Sequence, residues 1–90
     1  MISKPIAQSY NAVLNAEHIK RVANESKNDY YNFVNSFPQI EAVKDKELLR
    51  LFNNFALQIA ERRYKITKDP NYKEYAIMHK QILDHLVKKR

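Results

Sequence analysis

Residues 45–67, DKELLRLFNNFALQIAERRYKIT, form the longest strongly periodic run in the chain. On a helical wheel Leu48, Leu51, Phe52, Phe55, Ile59 and Ile66 fall on one stripe, and Leu49, Ala56 and Ala60 widen it on one flank. The apolar arc spans roughly 180°, wider than the ~100° stripe of a helix packed against one neighbour. Such a helix must be covered from at least two sides, which dictates a bundle built around it. Asp45 is placed to cap its start, and Glu47 adds a carboxylate where the helix dipole favours one. Asp69-Pro70 marks the end, because a residue before proline is pushed out of the α region.

The rest of the chain allows little besides helices. Glycine is absent. Positions with positive φ are therefore expected to fall on some of the nine asparagines or on aspartates, or to be avoided. Tight β-hairpins are disfavoured, and glycine-dependent phosphate loops and dinucleotide fingerprints are excluded. No useful period-two alternation appears, so no sheet is expected. Cysteine is also absent, which removes disulfides and thiolate chemistry. Ninety residues make one domain. No apolar run is long enough to span a membrane, and the N-terminus MISKPIAQSYNAV lacks a continuous apolar signal core. The expected compartment is the cytoplasm, with no membrane partner. The Lys, Asn, Ile and Tyr bias suggests an AT-rich genome, compatible with bacteria, plasmids and phages.

In chain order, Ser3-Lys4-Pro5 opens a first helix over about 4–23, with a phase slip near Ala16 and a kink near Asn15. Ser26 and Asp29 resemble a capping box for a second helix over 27 to about 36, burying Tyr30, Phe33, Val34 and Phe37. The alternative is one unbroken helix over 16–36. Pro38 stops this segment, and Ile40 and Val43 form a single turn over the bundle end. After the central helix, Asp69 caps and Pro70 starts a last helix over about 70–87. Its stripe is Tyr72, Tyr75, Ala76, His79, Ile82, Leu83 and Leu86. Short connections make sequential helices antiparallel. The expected fold is all-α: a small antiparallel bundle of four helices, or of three if residues 16–36 are continuous, ending in a short basic tail.

Nothing in the sequence marks an enzyme or a cofactor site. His79 lies mid-stripe, with Tyr75 and Leu83 where a metal partner would stand, and reads as a core or boundary histidine. His18 and His85 fall on polar arcs and read as solvated. The carboxylates are scattered among basic neighbours, and no serine has a nucleophile's context. Metal, cofactor and catalytic residues are therefore all expected to be none.

Charge is the informative functional feature. The net charge is +6, and residues 1–45 are neutral, so the whole excess lies in residues 46–90. Arg62, Arg63, Lys65, Lys68 and Lys73 converge on the turn between the last two helices, with Tyr64 among them. Arginine binds phosphate bidentately and lysine as a point charge. Lys88, Lys89 and Arg90 lie about 25 Å further along the last helix. Together these residues could track a DNA or RNA backbone. Tyr31 and Tyr64, off the apolar stripes, could stack on a base or fill a partner's pocket. The bland explanation is a solvated helix end whose cations complement the dipole. A protein-binding module is the competing function: a stoichiometric inhibitor, an antitoxin- or immunity-like factor, or an assembly adaptor. It would use Leu57, Ile77 and Met78 against an acidic protein surface. A homodimer is compatible with either function.

Overall fold

The computed structural model of the chain describes residues 14–88. Four α-helices follow one another: α1 (Ala16–Glu25), α2 (Tyr30–Asn35), α3 (Lys46–Thr67) and α4 (Pro70–Lys88), with a 3₁₀ turn at Pro38–Ala42 between α2 and α3. Among the described residues there is no strand. Among the described residues the fold is the small all-α bundle expected, with four helices and a break between α1 and α2.

Residues 1–13, which include the expected helix start at Ser3-Lys4-Pro5, lie outside the described residues. Asn15 is where the helix begins, not where it kinks. Its backbone is extended and its side chain accepts from the His18 amide at 2.9 Å. An Asn cap satisfies one of the amides a helix start leaves open, which also explains the phase slip at Ala16.

The capping box expected at Ser26 does not form. Asp29 itself is the cap of α2, accepting from the Asn32 amide at 3.0 Å, so α2 starts three residues later than the sequence suggested. Ser26 instead closes α1: its amide donates to Val22 O, and its buried hydroxyl accepts from Asn32 Nδ2 at 2.6 Å. Pro38 then heads the 3₁₀ turn, and Ile40 leans on the core.

The central helix lies where its periodicity put it. Asp45 accepts from the amides of Glu47 and Leu48. Helices α1, α2 and α4 all pack against α3. Phe33 stacks on Phe52 with centroids 5.2 Å apart, and Phe37 meets both rings edge-on. Ile19, Val22 and Ala23 of α1 join the same core, as do Ala56, Ile59 and Ala60 of α3. Two stripe members do not go inside. Ile66 is 62% exposed because it lies beyond Arg62, the last α3 residue to share a groove with α1. On α4, Ile82 is exposed as well.

Helices α3 and α4 form an antiparallel hairpin. Arg63 meets Tyr72, Asn53 meets His79, and Leu51 shares a groove with Leu83, so numbers rise on one helix as they fall on the other. The turn is only Lys68-Asp69. Asp69 caps α4, accepting from the Asn71 amide at 3.0 Å, while Thr67 Oγ1 accepts from the Asp69 amide. The positive-φ position falls on Lys68, at φ 61°, and not on Asn or Asp. Its amide donates to Tyr64 O at 2.7 Å, closing the end of α3.

Two outcomes follow. Phe33→Ala and Phe52→Ala should each lower the unfolding free energy by about 3–5 kcal/mol, and half-buried Phe55→Ala by less, measured by urea denaturation. Lys68→Gly should raise it by about 1 kcal/mol by relieving the left-handed conformation, with Lys68→Ala close to wild type.

Candidate nucleic-acid interface

The outer faces of α3 and α4 enclose a groove of about 670 Å³. On α3, Gln58, Glu61, Arg62 and Lys65 recur at steps of three and four and so share one side of the helix. On α4, Lys73, Ala76, Ile77 and Lys80 do the same. Arg62, Lys65, Lys73 and Lys80 supply four cations against the single carboxylate of Glu61. Tyr64 also lines the groove. Ala76 is half-buried and Ile77 is 47% exposed, so apolar surface lines the groove beside the cations.

The five cations expected at the turn are thus divided. Arg62, Lys65 and Lys73 share the groove with Tyr64. Arg63 does not: its guanidinium sits 5.9 Å from the Tyr72 ring centroid, a cation–π contact on the flank facing α2. Lys68 is taken up by the turn. Lys88 is the last residue of α4, its side chain is not described, and Lys89 and Arg90 lie outside the described residues. Of the residues named for protein binding, Ile77 lines this groove, Met78 is exposed without lining it, and Leu57 is half-buried.

Sequence reasoning missed three cations. Lys80 joins the groove because it stands seven residues, two turns, after Lys73. Lys20 and Lys27 line a second groove of about 190 Å³ between α1 and α3, together with Gln58 and Arg62. The two grooves share Gln58 and Arg62, which therefore form a ridge between them. Counting charge by sequence half placed Lys20 and Lys27 in a neutral segment, although packing brings them to the basic face. The heptad spacing of Lys73 with Lys80 was the available signal for Lys80; Lys27 lies past the end of α1, so no helical spacing joins it to Lys20.

On another face of α4 is a buried polar chain. His79 Nδ1 lies 2.8 Å from Asn53 Oδ1, and His79 Nε2 lies 2.7 Å from the Tyr30 hydroxyl. Asn53 Nδ2 donates to Leu49 O at 2.8 Å, which leaves its carbonyl oxygen toward the imidazole. A carbonyl only accepts, so Nδ1 carries the proton and Nε2 accepts from Tyr30. All three side chains are buried. Burial pulls the His79 pKa down to about 4. Burial likewise pushes the Tyr30 phenol up to about 12, with Tyr75 and Tyr31 adding to it. Tyr30 stacks on Tyr75, centroids 4.8 Å apart, and Tyr31 shares a 2.9 Å hydroxyl–hydroxyl bond with Tyr75. Tyr31, expected to be off the stripes, belongs to this tyrosine cluster while staying 44% exposed. His18, expected to be solvated, is half-buried and sets its ring edge against Phe37.

Among the described residues, no three His, Cys, Asp or Glu residues stand where they could hold a metal ion, and no helix is long and apolar enough to cross a membrane. Comparison with known proteins gives no match: no family model, no curated protein and no solved structure is similar to this chain.

The histidine makes stability pH-dependent. Its folded pKa lies below the ordinary 6.5, so the unfolded chain binds the extra proton between pH 6.5 and 4, and stability falls as pH drops through that window. Lowering pH from 7.5 to 5 should cost about 2 kcal/mol in urea unfolding through this group. His79→Leu should be less stable throughout, yet lack this component.

Proposed function

We propose that the protein is a small non-enzymatic module that binds nucleic acid through phosphate contacts, in an accessory or regulatory role. The observation that carries this is the basic face. Six cations, Lys20, Lys27, Arg62, Lys65, Lys73 and Lys80, line two adjoining grooves that hold one carboxylate between them. A ligand able to meet that many separated cations carries regularly spaced negative charge, and a phosphate backbone does. Concave walls bring charges from two helices to bear on one chain of phosphates. The groove's cations are exposed, so their field reaches solvent and favours rapid capture of a polyanion.

A second reading, an acidic protein surface, is favoured by one observation: the exposed Ile77 lining the groove, which a helix with alternating apolar and acidic residues would cover. On this reading the protein is an inhibitor, an antitoxin- or immunity-like factor, or an adaptor.

The test is binding of a fluorescent generic oligonucleotide by anisotropy across a salt series. With about four phosphates engaged, the log–log slope should be about −3 to −3.6, depending on strandedness. Arg62→Ala with Lys73→Ala should flatten it by one to two units. Lys44→Ala with Lys46→Ala, which removes equal charge near the far end of α3, should leave it unchanged. A flat salt response, or equal losses from both pairs, would remove the phosphate reading and leave the protein partner.

A further inference from the structure

We infer that the groove between α3 and α4 takes a single strand of nucleic acid in preference to a duplex. This rests on the phosphate reading and adds the form of the ligand.

The first argument is width. Packed helices have axes 8–10 Å apart. The valley between two such helices follows that spacing and is narrower than a duplex, whose major groove alone is about 12 Å across.

The second argument is the lining. Tyr64, Ala76 and Ile77 put aromatic and apolar surface into a groove that also carries four cations. A duplex keeps its bases stacked inside and has little to place there. An unpaired strand can run its phosphates along Arg62 and Lys65 on α3, or Lys73 and Lys80 on α4, and turn bases onto Tyr64 and its apolar neighbours. Base–aromatic stacking combined with a basic track is the general solution to single-strand binding. The third argument is reach. Lys73 and Lys80 are separated by about 10.5 Å along α4, the span of about two or three nucleotides at 3.4 Å or more per phosphate. Arg62, shared with the neighbouring groove, gives the strand an exit toward Lys20 and Lys27.

The experiment compares fluorescein-labelled 12-mers of oligothymidine and oligouridine with a 12-base-pair duplex, at matched salt, using the full chain. The single strands should bind at least tenfold more tightly. Tyr64→Ala should weaken single-strand binding about tenfold and leave duplex binding unchanged. Ile77→Asn, at an exposed position where folding is little affected, should act in the same direction more weakly. Thermal melting of each variant separates loss of binding from loss of fold. Duplex binding equal to or tighter than single-strand binding would overturn this inference while leaving the phosphate reading in place, as would equal losses from Tyr64→Ala on both ligands. No binding to any of the three by a folded wild type would remove both.

Discussion

The hydrogen-bonded chain Tyr30–His79–Asn53 ties three helices together, and the placement of the basic groove depends on it. It joins α2, α4 and α3 inside the bundle. Apolar packing fixes how much surface is buried but tolerates sliding, since one leucine replaces another at modest cost. A buried polar chain does not tolerate it. Shifting α4 along α3 would leave a donor or acceptor unpaired in a dry site, at a cost of about 1–3 kcal/mol per group. With His79 held inward, Ile77 and Lys80 on the same helix are held toward the groove. The groove's shape is therefore set by an interaction outside the groove.

Two kinds of residue were legible in the sequence, and two were not. The caps at Asp45 and Asp69, the proline start of α4 and the stripe through Phe52 and Ile59 depend on local chemistry, which a sequence carries in full. His79 was legible as interior because it sat in phase with Tyr72, Tyr75 and Ala76. Its partner Asn53 was not: an asparagine next to another asparagine reads as solvated, and only the imidazole facing it makes its burial favourable. Ile66 was in phase yet exposed, since a stripe shows which side of a helix is apolar and not how far along it neighbours extend. Lys68 took the left-handed position because the two-residue turn needed it there, and the tertiary hairpin outweighed the preference for Asn or Asp.

The basic face shows the same limit at larger scale. Arg62, Lys65, Lys73 and Tyr64 could be grouped because they adjoin a single turn. Arg63 could not be separated from Arg62 by sequence: one position, 100° of rotation, turns it toward Tyr72 and the α2 side. Lys20 and Lys27 could not be added, because nothing local states that α1 packs along the flank of α3 bearing Arg62. Assigning charge to halves of the chain is a one-dimensional measure, and the relevant quantity is charge per face.

The basic face also explains why the groove stays open. The wide apolar arc of α3 needs cover on several sides, and α1, α2 and α4 provide it. Along the seam outside α3 and α4, Arg62, Lys65, Lys73 and Lys80 line the groove beside Ala76 and Ile77, and Ile77 stays exposed. A fourth wall of leucines would close the seam and bury more apolar area, giving a more stable bundle with no site. Clustered cations repel one another across distances comparable to the ~8 Å Debye length, so the arrangement works against the stability of the free protein. A bound polyanion reverses the sign of that interaction. On the proposed reading, a ligand that prefers the folded chain would stabilise the fold by mass action. The unfavourable electrostatics of the free protein and the affinity proposed for the complex would then arise from the same six residues.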